Sequence, residues 1–189
     1  VNGRDPYLHP TLPILRNKLG IFDADRLDQI ERRLVTQRIA EGAPTGRFDL
    51  VHLRAIHRHL FQDIYDWAGE IRTVEIAKEG HQFQFRRFIA VGVADIHRRL
   101  VAADFLRGLE RPAFAEAASA IIGDLNYVHP FRDGNGRTQL QYLDGLALRA
   151  GHPLDLSRLS PTGWLTASRA AHDGDYRFMA EAIARAASV

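Results

Sequence analysis

His129-Pro130-Phe131-Arg132-Asp133-Gly134-Asn135-Gly136-Arg137-Thr138 lies between two segments with helical periodicity, so the centre of the chain is a helix, a tight loop and a helix. The following helix carries Leu140, Leu143, Ala147 and Leu148 as its apolar positions, which puts Gly134 to Gly136 at its N-terminus. Unpaired N–H groups and the positive end of the helix dipole favour an anion there. Glycines let the backbone curl closely around phosphate oxygens. His129 is a base that stays neutral near pH 7 with little tuning. Asp133, a hard oxygen ligand beside a phosphate nest, suits Mg²⁺, which takes one or two carboxylates together with substrate phosphates. Together these groups point to nucleotide chemistry.

An ordinary helix-to-helix turn also explains Gly-Asn-Gly, with Phe131 as a core anchor. The residues around it decide between the two readings. The string resembles the signature of the Fic (filamentation induced by cAMP) family, His-Pro-Phe-x-(Asp/Glu)-Gly-Asn-Gly-Arg-x-x-Arg, at every position except the last, where this chain has Leu140.

Outward from the loop, helices dominate. Asp23 caps a helix with Leu27, Ile30, Leu34 and Val35 on its apolar side, ending at Glu41-Gly42. Asp49 caps a second helix running through Leu50, Leu53, Ile56, Leu60, Phe61 and Ile64. From Gly69 to Phe85 the pattern changes to Ile71, Thr73, Val74 and Ile76, a Lys78-Glu79-Gly80 turn, then Phe83 and Phe85, which predicts a hairpin. Helices are expected again over 86–106, from Pro112 to Val128, from Asn135 to Gly151, from Pro161, and over 175–187. The expected fold class is all-α with one small β-hairpin, in a single domain of residues 1–189 with a core at 49–187 and an N-terminal helical segment at 1–48.

Composition narrows the function. With 189 residues, 46% hydrophobic and 25% charged, the chain can bury a substantial core. It has no cysteine, which excludes disulfides, thiolate nucleophiles and cysteine-based zinc sites. No apolar run approaches the ~18 residues of a membrane span, and the start lacks a signal-peptide core. The basic balance comes from arginine, Lys18 and Lys78 being the only lysines, yet the net charge is only +2 and acids alternate with the arginines, as over 23–33. That spacing describes solvated helix faces and argues against nucleic acid as a partner. No Gly-x-Ser-x-Gly elbow or P-loop is present. His57 and His59 sit two apart on different helix faces and do not form a zinc pair, and His52 and His97 are taken as ordinary helical residues.

The Fic resemblance extends from about Asp5 to Ala187, through His57 to Thr73, which is similar to the family's approach to its hairpin flap, and through Gly174-Asp175-Tyr176. It implies an all-α Fic domain that transfers AMP from Mg-ATP to a Ser, Thr or Tyr hydroxyl of a target protein. His129 would be the base and Asp133 the Mg²⁺ ligand. The N–H groups of Gly134, Asn135 and Gly136, with the Asn135 side chain, would hold the α-phosphate, and Arg137 a more distal one. Trp164, Leu165 and His172 fall where the family lines the adenosine pocket, Trp164 being equally suited to core packing. Ile76, Ala77, Lys78, Phe83 and Phe85 are the expected docking segment, where a target strand would pair with the flap edge.

Leu140 replaces the arginine that contacts the γ-phosphate in the family, and Gln141 is the candidate neutral donor in its place. An inhibitory Ser/Thr-x-x-x-Glu-Gly/Asn helix is matched only imperfectly by Gln37 to Gly42, so inhibition is expected from a separate small antitoxin-like protein. The setting implied is a toxin acting in the cytoplasm or an effector secreted into a host cell. The alternatives are a Fic-fold transferase using UTP, GTP, phosphate or phosphocholine, and a catalytically idle Fic-like binding domain.

Overall fold

A computed structural model describes residues 5–78 and 80–187. Among these, seven α-helices follow in order: α1 (Ala24–Ala40), α2 (Leu50–Phe61), α3 (Ile89–Ala102), α4 (Arg111–Val128), α5 (Asn135–Ala150), α6 (Pro161–His172) and α7 (Arg177–Ala186). A two-stranded antiparallel hairpin, β1 (Ala77–Lys78) and β2 (His81–Gln82), precedes α3, with Ala77 opposite Gln82 and Lys78 opposite His81. The fold class is the expected one.

The caps act as the sequence indicates. Asp23 accepts from the Arg26 N–H at 2.7 Å and Asp49 from the His52 N–H at 2.9 Å. Gly151, in the left-handed region at φ 89°, closes α5. Helix α4 is the axis of the bundle and packs against α3, α5, α6 and α7. Phe114, Ala118, Ile122 and Leu125 are buried along it, so it is covered nearly all round. Tyr176, in the Gly174-Asp175-Tyr176 segment, donates to Asp124 of α4 at 2.6 Å, and Arg99 of α3 pairs with the same carboxylate at 2.5 Å.

Several expectations require correction. The helix predicted over 86–106 is a short 3₁₀ turn at Arg86–Phe88, then α3, then a break, because Asp104, Phe105 and Leu106 all take positive φ. Ile64 lies beyond the end of α2, buried in the turn that follows. Leu148 is exposed; the inward stripe of α5 is Thr138, Tyr142, Leu143, Leu146 and Ala147. Within the N-terminal segment, α1 is the one helix among the described residues, preceded by turns and bends closed by a Leu8–Leu15 bridge. The paired part of the hairpin is two residues per strand, shorter than its β-branched run predicts. Glu79 of the predicted turn, and the first four residues, lie outside the described residues.

Candidate active site

Helix α4 stops where Pro130 forbids the preceding residue an ordinary helical continuation. His129 takes a left-handed conformation at φ 46° and ψ 63°, which turns its ring out of the bundle. The ring Nδ1 lies 3.0 Å from the Asn126 carbonyl, and a carbonyl can only accept, so this acceptor assigns the proton to Nδ1 and leaves Nε2 as the basic nitrogen. Phe83 stacks on the ring at 3.7 Å and 17°. Burial beneath it pushes the imidazole down to about 4, and the Arg72 charge acts in the same sense. His129 is therefore neutral at neutral pH, the form a base requires.

The loop that follows is held from within. Asn135 is buried, its Oδ1 accepting from the Phe131 N–H at 3.0 Å and its Nδ2 donating to the Phe131 carbonyl at 2.9 Å. The amide thus closes the loop and keeps one N–H of Nδ2 beyond these two bonds. Gly134 sits at φ 77°, where a Cβ would overlap the Phe61 ring. Its carbonyl accepts from the Thr138 N–H at 3.1 Å and the Thr138 hydroxyl at 3.0 Å. The N–H groups of Asn135, Gly136 and Arg137 form the first turn of α5, where intrahelical acceptors are lacking. Gly136 is exposed with nothing near the place of a Cβ, so a phosphate can approach its backbone.

His57, which the sequence only excluded from a zinc pair with His59, is a hidden support of this loop. It is wholly buried and stacks on Phe131 at 3.9 Å. Its Nδ1 accepts from the Gly69 N–H at 2.8 Å and its Nε2 donates to the Asp133 carbonyl at 3.0 Å. Burial pushes it down to about 4 as well.

A cavity of about 700 Å³ opens beside His129. Asp133, Gly134, Asn135, Gly136 and Arg137 line it from the loop and α5, and Trp164, Leu165 and His172 from α6. Gln139 and Leu140 line it, whereas Gln141 does not; successive helix residues turn by about 100°, which takes the buried Gln141 away. Arg137 is anchored to Glu31 of α1 at 2.6 Å and lies over the Phe61 ring at 4.6 Å, and the Tyr65 hydroxyl donates to the other Glu31 oxygen. Arg32 lines the same cavity. The solvated-face reading of 23–33 thus fails at Glu31, which is buried, and holds at Arg32, which is exposed and paired with Asp28 at 2.9 Å; the charge run hid Glu31.

The hairpin roofs the cavity through Lys78, His81 and Phe83. A second cavity of about 430 Å³ lies against Glu75, Ile76, Ala77 and Lys78, with Asp5 and Arg132, paired at 2.7 Å, on its far side. His129, Asp133, Lys78 and Phe83 line both cavities. Among the proposed docking residues, Ala77, Lys78 and Phe85 are exposed and Ile76 is half-buried. Phe83 is buried against His129 and serves as its cover.

Asp133 is exposed, with one oxygen accepting from the Gly134 N–H at 2.6 Å. No group of three or more His, Cys, Asp or Glu among the described residues gathers to hold a metal. A lone carboxylate beside a phosphate nest fits Mg²⁺, which completes its shell with water and phosphate oxygens. No helix among the described residues is long and apolar enough to cross a membrane.

The Fic/DOC family model matches residues 47–144. A Sinorhizobium fredii protein named probable protein adenylyltransferase y4lH is 39% identical over 96% of this chain and 95% of its own length. Protein adenylyltransferase VbhT of Bartonella schoenbuchensis is 36% identical over 97% of this chain, which spans 39% of VbhT. Among solved structures, the translocated effector BepC of Bartonella tribocorum with bound AMPPNP superposes with a TM-score of 0.88 at 27% identity, over 96% of each chain.

Proposed function

The chain belongs to the Fic/DOC family and is a nucleotidyltransferase of the protein adenylyltransferase kind, and from that premise we propose that it transfers AMP from Mg-ATP to a side-chain hydroxyl of a target protein. The observation that carries this reading is the position of His129, which lines both cavities. ATP occupies the larger one, with its adenosine toward Trp164 and His172 and its phosphates at the first turn of α5. A target segment lies along Ile76 to Lys78 in the smaller one, pairing with the exposed flap edge.

His129 Nε2 takes the proton of the target hydroxyl as its oxygen attacks the α-phosphate, a general-base contribution of ~10²–10⁴ in rate. The oxygen–phosphorus bond forms as the bond to the pyrophosphate breaks, and pyrophosphate leaves. The N–H groups at the start of α5 take up charge developing on the α-phosphate, and Arg137 binds a more distal phosphate by charge-assisted hydrogen bonds. Asp133 is the residue that would hold Mg²⁺, which when bound neutralises phosphate charge.

The setting is that of a toxin in the cytoplasm or an effector delivered into a host; the translocated effector BepC, which this chain resembles, supports the second. A small antitoxin-like inhibitor belongs to the toxin form. Use of a different donor nucleotide is the second reading, favoured by the apolar Leu140 at the cavity wall.

The test is incubation of the protein, and of a His129→Ala control, with Mg²⁺, ATP labelled on the α-phosphate and bacterial lysate. Labelled protein bands that vanish in the control are the expected result. Nucleotide binding without labelled protein moves the reading to another donor, and absence of nucleotide binding overturns it.

A further inference from the structure

Arg72 lies just before the flap and is wholly buried, an unusual place for a guanidinium. Its donors are spent on backbone carbonyls drawn from separate segments. Nε donates to the carbonyl of His129 at 2.8 Å, one NH₂ group to Val74 at 2.8 Å, and the other to Gln84 and, at 3.4 Å, to Val128. Its own N–H donates to the Pro130 carbonyl at 2.9 Å. Val74 leads into the hairpin and Gln84 leaves it, while Val128, His129 and Pro130 carry the base out of α4. One side chain therefore binds both ends of the flap and the backbone of the base.

We propose that Arg72 is a positioning residue that makes the flap and His129 one rigid unit, so that a target strand seated on the flap is brought into register with the base. The proposal rests on the target-docking role given to the flap above. Two further contacts run the same way, the Phe83 ring on His129 and the Gln84 N–H donating to the Tyr127 carbonyl at 3.0 Å. A left-handed His129 is held against an intrinsic preference of ~1–2 kcal/mol for other conformations, and Arg72 bonds three consecutive carbonyls at that bend, those of Val128, His129 and Pro130. Lysine cannot replace this arrangement, because one ammonium does not reproduce a planar fork that reaches carbonyls on opposite sides. A carboxylate partner is present, Glu75 at 3.3 Å, and it too lies on the flap approach.

The test compares wild type with Arg72→Lys. With labelled ATP saturating and the amount of bacterial lysate varied, the initial rate of labelling of the bands seen with wild type, which reports kcat/KM for the target, is expected to fall ~10²-fold, the scale on which small misplacements act, while the Kd for Mg-ATP without lysate stays within about threefold. Arg72 does not line the nucleotide cavity, which is why the two effects separate. Hydrogen exchange supplies a readout that needs no activity: amides of 72–85 and of Val128 and His129 should exchange faster, with the middles of α4 and α5 unchanged. An unaltered kcat/KM for the target, an equal loss of ATP affinity, or faster exchange throughout α4 and α5 would overturn the proposal. If Arg72→Lys does not fold, Glu75→Gln is judged by the same exchange criterion, with faster exchange confined to those two segments expected and a global or absent change refuting it. Failure of wild type to label any protein removes the docking premise, whereas the exchange result still decides whether flap and base are coupled.

Discussion

Glu31 on α1 receives the guanidinium of Arg137, 106 residues away, at 2.6 Å, while its other oxygen accepts from the Tyr65 hydroxyl. A helix outside the loop thus fixes the cation proposed to meet a distal phosphate. Replacing Glu31 by Ala leaves the Tyr65 hydroxyl buried without its acceptor and Arg137 free to turn. Stability should fall by about 1–3 kcal/mol, and KM for ATP should rise more than kcat falls. Urea unfolding and steady-state kinetics check the two effects, and Glu31→Gln should fall between wild type and alanine.

The two glycines of the loop should respond in opposite ways. Gly134→Ala forces a Cβ into the Phe61 ring at a positive φ, and is expected to cost about 2–5 kcal/mol from overpacking and backbone strain. Gly136→Ala meets no neighbouring atom and should leave Tm level or higher, since alanine favours a helix. Its cost should appear instead as weaker nucleotide binding, because the methyl stands where a phosphate must approach. Calorimetry of unfolding and of ATP binding separates the two.

Acid should weaken the fold through its buried imidazoles. His57 and His129 are both held down to about 4 by burial, against an ordinary value near 6.5. Between those values the unfolded chain binds more protons, so the stability present above pH 6.5 is lost as pH falls toward 4. His57, wholly buried, should account for about 3 kcal/mol of that loss. His57→Gln, which cannot charge, should flatten the slope by roughly half. Urea midpoints at pH 7, 5.5 and 4.5 measure it.

Leu140 borders the cavity beside Arg137. Leu140→Arg adds a further cation beside Arg137, and a hydrogen bond to a charged group is worth ~1.5–3 kcal/mol, or ~10- to 100-fold in affinity. ATP should gain that factor and AMP nothing. Equal gains for both nucleotides would show that the new arginine misses the distal phosphate.

Local chemistry made much of this protein legible before any fold was known. Asp23 and Asp49 cap helices because a carboxylate placed one residue ahead satisfies N–H groups within the same turn. The loop from His129 to Arg137 announces itself for the same reason, since its base, glycines and helix start are neighbours along the chain. The strand run around Val74 to Phe85 correctly marks a hairpin, although the paired part is shorter; past the Phe83 N–H bond to the Ile76 carbonyl, the carbonyls of Val74 and Gln84 accept from Arg72.

By itself the sequence determined the helices, the loop and the candidate base, all of which depend on residues within a few positions of one another. Tertiary structure alone decided what supports them. Glu31 reaches Arg137, His57 reaches the Asp133 carbonyl and Arg72 reaches His129 across 106, 76 and 57 positions. In the sequence these three residues look like any charged or polar side chain of a solvated face or flap approach. Each became a support because folding removed it from water, and a buried polar group must find its partner wherever the packed chain brings one.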